Sequence, residues 1–339
     1  MIAFADFTFR SKALIIAGLS VVLAVSGLFY MSQPVAKSAS LARTVIIPQG
    51  ASTADIANTL HQQGIIRNPL MFRILTRMQK LDNKLQAGEY EVAPHMSMSE
   101  VLRKITSGET VSYVFTIPEG FTVEQIANLL AEKGLGDREQ FLAQARKGNP
   151  AYGFLPATSA SGYVVEGFLF PDTYRIPKGM KEEAILAMML QKFDTTVTPQ
   201  MRETASQQGL SLFQMVTLAS LVEREAKAAA DRPIIAAVFL QRLKFEMPLQ
   251  SCATIQYILG TPKTELSIQD TQIESPYNTY MNPGLPPGPI ANPGVASISA
   301  VLNPAKTDAL YFVAKPDGTH IFSRSYDEHL TAIEQVNKL

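Results

Sequence analysis

The chain has 339 residues, 46% of them hydrophobic and 18% charged, enough to bury a sizeable core in more than one domain. Lysine plus arginine equals aspartate plus glutamate at 30 each, so the formal net charge is zero. That balance argues against a nucleic-acid partner, which favours a basic stripe, and fits a neutral polar partner such as a polysaccharide. Cys252 is the single cysteine, so no internal disulfide forms. His61, His95, His320 and His329 are scattered, and there is no H-E-x-x-H, G-x-S-x-G, Walker loop or dinucleotide fingerprint. Neither a metal site nor a cofactor is expected.

Residues 13–31 read ALIIAGLSVVLAVSGLFYM and carry no charge. That length is close to the roughly 20 residues a helix needs to cross a bilayer. Arg10 and Lys12 precede the stretch, and Phe29 and Tyr30 lie at its far end. Basic residues stay on the cytoplasmic side and aromatics favour the interface. The expected topology is a cytoplasmic tail at 1–12, a transmembrane helix at 13–31 and everything after it outside. A cleaved leader would carry an apolar core of only about 7–15 residues. The polar run 32–42 reads as a linker.

An internal repeat follows. VIIPQGASTADIANTLHQQG (45–64) matches FTIPEGFTVEQIANLLAEKG (115–134), with Pro48/Pro118, Gly50/Gly120, Ile56/Ile126, Asn58/Asn128 and Gly64/Gly134 in constant register. Each copy predicts a strand, an I-P-x-G turn, a helix capped by Ser52/Thr53 or Thr122, and a glycine stop. Looser strand–turn–helix echoes occupy 88–105 and 172–190. Such βα units serve either as glycan-binding modules or as a packed scaffold, and both readings stay open here. The Gly-, Pro- and Ser-containing stretch 145–160 is the expected domain boundary.

Two helices are expected next, one capped by Ser211 and running to about Ala230, the other capped by Asp231 with Pro233 in its first turn. On the first, at about 100° per residue, Leu212, Met215, Val216, Ala219, Val222 and Ala226 form one apolar stripe. Glu223 falls on the flank of that stripe and Glu225 on another side, so the two do not form a close pair. A carboxyl against an apolar wall favours its protonated form, and a protonated glutamic acid can donate to a glycosidic oxygen. Glu223 fits that role better than Glu225. The competing reading is a surface glutamate paired with Arg224 or Lys227. Glu166, Asp172 and Glu274 are further acids, each more simply read as structural.

In 275–294, SPYNTYMNPGLPPGPIANPG, nine of twenty residues are Pro or Gly. The interleaved Tyr277, Asn278, Tyr280, Asn282 and Asn292 suit a rigid polar groove wall better than a spacer. Residues 311–322 predict a hairpin with a Pro-Asp-Gly turn.

EGFLFPDTY (166–174), LASLVEREA (218–226), VFLQRL (238–243), SPYNTY (275–280), GLPPGPIANPG (284–294) and LYFVA (310–314) occur in that order. With the N-terminal anchor, they make the chain resemble the endolytic murein transglycosylases, the YceG-like family, over nearly its full length. The resemblance implies an α+β fold: a single N-terminal transmembrane helix, a LysM-like βα subdomain at 43–150, and a catalytic α+β domain at 151–339. It implies a lyase at the inner membrane, acting extracytoplasmically on peptidoglycan strands, with peptidoglycan synthases as candidate partners. Such enzymes cleave the β-1,4 bond from N-acetylmuramic acid to N-acetylglucosamine, leaving 1,6-anhydro ends without consuming water. The alternative is a non-catalytic, membrane-anchored peptidoglycan-binding scaffold; a hydrolase would need a second carboxylate near the first.

The family motif carries its catalytic glutamate over to Glu223, as general acid and then base. Ser220, one turn earlier, is placed to hydrogen-bond Glu223. Tyr277, Asn278 and Tyr280 are candidate saccharide contacts, with Glu225 and Glu166 in support. One departure stands out: where the family often has a D-P-T-like string after Leu249-Gln250, this chain has SCAT at 251–254.

Overall fold

A computed structural model describes residues 26–27, 30–260, 263 and 266–338. The expected tail at 1–12 and most of the stretch read as transmembrane lie outside the described residues. Among the described residues no helix is long and apolar enough to cross a membrane. The chain forms two compact units: Met1–Tyr113 with Arg175–Gly179, and Val114–Tyr174 with Met180–Leu339. This division into compact units falls between the two copies of the repeat.

In the first unit β1 (Arg43–Ile47) is followed by α1 (Thr53–Gln62), α2 (Pro69–Met78), β2 (Gly88–Val92) and α3 (Met98–Ser107). β1 and β2 pair antiparallel with Val45 opposite Tyr90. Val45, Ile47, Tyr90 and Val92 point inward, while Ile46 stays exposed, the period-two alternation of a half-covered strand. These residues meet Ile56, Leu60, Phe72, Val101, Leu102 and Ile105 from the helices in one core. Ser52 forms a capping box with Asp55 at the start of α1.

The second unit takes β3 (Ser112–Thr116) on from Val114, then α4 (Val123–Glu132) and α5 (Arg138–Lys147). β4 (Thr173–Pro177) comes next, passing into the first unit at Arg175, and then α6 (Glu182–Thr196), α7 (Pro199–Gln207), α8 (Leu212–Glu225) and α9 (Arg232–Lys244) follow in the second. The chain closes with α10 (Cys252–Leu259), α11 (Val295–Leu302), β5 (Tyr311–Ala314), β6 (His320–Ser323) and α12 (Tyr326–Val336). β3 pairs with β4, and β5 with β6. Mixed helices and small two-stranded sheets make the fold α+β, as expected.

The repeat is structural as well as sequential. Gly50 and Gly120 take φ of 80° and 77°, and Gly64 and Gly134 take 67° and 63°. All four lie in the left-handed region that glycine enters without a steric penalty. Thr122 caps α4 through a capping box with Gln125, as Ser52 caps α1. The 311–322 hairpin also forms, with Tyr311 opposite Ser323 and Gly318 at φ 84° in the turn.

Two expectations for the central helices need correction. Residues 215–222 of α8 are all buried, so there is no single apolar stripe. The helix packs against α7, α9, α10 and α11, and a helix enclosed by several neighbours hides every face. Asp231 does not cap α9 with its side chain. Its carboxylate instead accepts the His320 backbone N–H at 2.9 Å and faces the His320 Nδ1, also at 2.9 Å.

Candidate active site

α8 delivers Glu223 as the first polar side chain after its fully buried run. The carboxylate is only 6% exposed. Its Oε2 accepts the Gly294 N–H at 3.0 Å, and its Oε1 lies 3.6 Å from the Arg232 guanidinium. Gly294 immediately precedes α11, and Arg232 begins α9, so three helix termini converge on one carboxylate. Arg224 does not pair with Glu223, contrary to the surface-pair reading. It donates to the Gly120 carbonyl at 3.3 Å, and the cation facing Glu223 comes from α9.

The second I-P-x-G turn closes over this carboxylate. Gly120 donates to the Asn292 carbonyl at 2.9 Å, and Asn292 donates back to the Phe121 carbonyl at 2.9 Å. This exchange stitches 117–121 to 290–294. A methyl group on Gly120 would come within 3.6 Å of Glu223 Cγ. Glu119, the variable residue of the motif, lies so close to Gly294 that a Cβ there would fall 1.8 Å from its Oε1. Burial, and then the negative charge of Glu223, push the Glu119 pKa up against the opposing pull of Arg232.

Sequence reading did not single out Glu119. The signal was present in the repeat, whose first copy has Gln49 where the second has Glu119. A second carboxylate therefore stands beside Glu223 after all, supplied by a turn more than 100 residues away in sequence.

Glu166 sits deeper and is fully covered. It accepts from the Val123 N–H at the start of α4 (3.2 Å), from Asn292 Nδ2 (3.3 Å) and from the Tyr257 hydroxyl (3.3 Å). Burial pushes its pKa up to about 8 despite these donors. Asn292 is the shared brace: its Nδ2 also donates to Phe121 O, and its Oδ1 accepts from Leu169 N–H at 2.8 Å. Glu166 thus supports the turn that carries Glu119 and the segment that carries Gly294.

Glu166, Arg224, Tyr257 and Tyr277 line a cavity of about 420 Å³, together with Tyr163 and Ser161. The Tyr277 ring packs 5.1 Å from that of Tyr257. Its buried hydroxyl lies near Ser159 and Ser161 without a formed hydrogen bond. Of the residues expected to contact saccharide, Tyr277 is the one on this cavity.

The others take structural positions. Ser220 does not hydrogen-bond Glu223. Its hydroxyl is fully buried, donates to Thr217 O at 2.7 Å and accepts the Ile290 N–H at 3.0 Å, so it pins the Pro/Gly segment to α8. Asn278 is also fully buried, with its Nδ2 donating to Thr271 O and Ile273 O and its Oδ1 accepting from Tyr280 N–H. The Tyr280 hydroxyl rests 3.1 Å from the Cys252 sulfur. Glu225 accepts from the Ser251 hydroxyl and from the Ala253 N–H. It therefore satisfies the start of α10, where the 251–254 departure lies. Among the described residues no cluster of His, Cys, Asp or Glu has the arrangement of a metal site.

The family model described as YceG-like family matches residues 45–335. The chain belongs to the YceG-like family. It is 35% identical to the endolytic murein transglycosylase of Bacillus subtilis, over 89% of this chain and 87% of that protein. It is 34% identical to the protein of the same name from Streptococcus pneumoniae, over 87% of this chain but only 58% of that longer one. The crystal structure of a yceG-like protein from Listeria monocytogenes superposes with a TM-score of 0.56 at 35% identity, covering 86% of this chain and 99% of that one.

Proposed function

We propose that this YceG-like chain is an endolytic lytic transglycosylase, a lyase that cleaves the MurNAc-β-1,4-GlcNAc bond inside peptidoglycan strands, with Glu223 as its acid and base. Protonated Glu223 donates to the leaving glycosidic oxygen as the C1–O bond breaks. The muramyl C6 hydroxyl then attacks C1, and its proton passes to the Glu223 carboxylate. A 1,6-anhydro end forms, Glu223 is protonated again, and no water is consumed. The observation that carries this reading is the setting of Glu223. The Gly294 N–H and the Arg232 guanidinium face the carboxylate left after the first proton transfer, and preorganised donors of this kind lower the cost of developing charge. The cavity lined by Tyr277 and Tyr257 offers aromatic faces with polar tips, which suit a sugar.

Glu119 gives a second reading a footing of its own. Two carboxylates flanking one bond are the equipment of a glycoside hydrolase, in which water replaces the C6 hydroxyl. Product mass separates the two. Full-length protein in detergent, incubated with purified peptidoglycan, is expected to release fragments ending in anhydromuramic acid. Fragments one water heavier would make it a hydrolase, and glycan binding without any fragments would leave a scaffold.

We further infer that 13–31 anchors the chain in the inner membrane, with the remainder extracytoplasmic. Supporting this are the uncharged length of that stretch and the basic residues before it. Residues 43–150 are read as the LysM-like subdomain, serving either as a glycan-binding module or as a packed scaffold. Cleavage beside the synthases would terminate nascent strands.

A further inference from the structure

α2 of the first unit leaves one face uncovered. Phe72 and Thr76 are buried in the core, while Leu70, Ile74 and Met78 are 58%, 38% and 76% exposed. Spaced four apart, these three form a single apolar stripe. Arg73 and Arg77, also exposed, run along its edge at the same spacing. A surface helix in a soluble setting does not ordinarily present its large apolar side chains as a continuous row.

The start of this helix is tied to the residues that follow the apolar stretch 13–31. The Arg67 guanidinium donates to the Pro34 carbonyl from Nε (3.0 Å) and Nη2 (2.8 Å), and to the Val35 carbonyl at 3.0 Å. It also lies 4.9 Å from the centre of the Tyr30 ring. Asn68 caps α2 by accepting from the Leu70 and Met71 N–H groups, and its Nδ2 reaches the Met31 sulfur at 3.7 Å. Where the chain would leave a bilayer, α2 begins.

We propose that the exposed face of α2 lies on the outer surface of the membrane, with Leu70, Ile74 and Met78 in the headgroup–acyl boundary and Arg73 and Arg77 on the phosphates of anionic phospholipids. An amphipathic helix with an apolar row and a basic edge has the composition that settles in that plane. Long arginine stems let the charge stay at phosphate level while the neighbouring side chains go deeper. Attraction between arginine and anionic headgroups selects lipid over a neutral surface. The inference rests on the anchor reading of 13–31 and adds to it a second contact, which would fix how the first unit stands on the bilayer.

The chain contains no tryptophan, so one substitution supplies the sole indole. Full-length Ile74→Trp protein is reconstituted into phosphatidylglycerol/phosphatidylethanolamine vesicles with brominated acyl chains, beside Met78→Trp and the reference Ser206→Trp on α7. The expected result is flotation of all three with vesicles. The Ile74→Trp and Met78→Trp indoles shift emission to shorter wavelength, are quenched by bromine and are shielded from acrylamide; the Ser206→Trp indole does none of these. Adding Arg73→Glu and Arg77→Glu is expected to reverse the shift while flotation persists. Flotation with the α2 indoles as open to acrylamide as the reference would overturn the inference alone and leave the face to a protein partner. No flotation would overturn the anchor reading and this inference with it.

Discussion

Glu223 is held in place by groups from three separate stretches of chain, and each can be removed by a small change. Gly294 is the most sensitive. Alanine there would put its Cβ 2.1 Å from Glu119 Cδ and 2.9 Å from its Cγ, so the Glu119 side chain must leave. Gly294→Ala is expected to cut cleavage by roughly 10-fold or more, since small misplacements at a reacting centre are costly, while the circular dichroism spectrum stays that of the wild type. Wild-type turnover in that variant would show that Glu119 has no part in the site.

Glu166 makes a different prediction, because its pKa is raised by folding. The folded state keeps a proton that the unfolded chain releases near the ordinary value of 4.5, and loses it only at about 8. The stability this group contributes is fully present below the lower value and declines as pH rises through the window between them. The slope is at most about 1.4 kcal/mol per pH unit. Glu166→Gln cannot ionise, so its urea midpoint is expected to change less than that of the wild type between pH 5 and pH 8. Parallel pH profiles for the two proteins would mean that Glu166 is ionised in the fold.

Sequence reading reached these residues unevenly, for physical reasons. Spacing placed Glu223 on the flank of a helix but left a surface glutamate as the simpler reading; only the LASLVEREA motif singled it out. Ser220 was misread because spacing places it one turn from Glu223 but does not say which acceptor wins. A serine inside a helix can return its hydroxyl to a carbonyl three residues back, and Ser220 does so. Glu119 was marked only by the difference between the two copies of the repeat, Gln49 against Glu119, and nothing near it in sequence tied that turn to Glu223.

The helices show the same limit. The existence and order of α8 and α9 were legible from periodicity and capping residues. That α8 would be covered on all sides was not, because enclosure depends on α7, α9, α10 and α11 arriving around it. Glu225 illustrates what enclosure does to a charge. Set two residues past Glu223, it turns away from the site and receives the Ser251 hydroxyl and the Ala253 N–H, groups that a helix start leaves without internal partners. Glu225→Ala is expected to cost about 1–2 kcal/mol of stability, the range for losing a helix cap. Ser251→Ala should cost less once Glu225 is gone, as expected for two groups in one hydrogen-bonded unit. Additive losses in urea unfolding would mean the two residues act independently.

For the molecule as a whole, the repeat was legible at once and its placement was not. The two copies share a strand, a glycine turn and a capped helix, yet they end up in different compact units. The first copy contributes Val45, Ile47, Ile56 and Leu60 to a small core. The second contributes Glu119 and Gly120 to the walls around Glu223. One local motif thus serves packing in both copies, through Ile56 and Leu60 in the first and Ile126 and Leu130 in the second, and the second, with Glu119 where the first has Gln49, also reaches the candidate site. The α+β class was legible through the family resemblance, and the small two-stranded sheets among helices agree with it. The division into compact units at 113/114 carries no run of glycine, proline or serine to mark it.

The claim on which the account rests is that Glu223 moves the proton. Its most direct test is the single-turnover rate of glycan cleavage by wild type and by Glu223→Gln, with binding of the same glycan measured alongside. A fall of roughly 100-fold or more in rate is expected, the range for losing a general acid–base group, with binding unchanged. A Glu223→Gln protein that cleaves at the wild-type rate would contradict it.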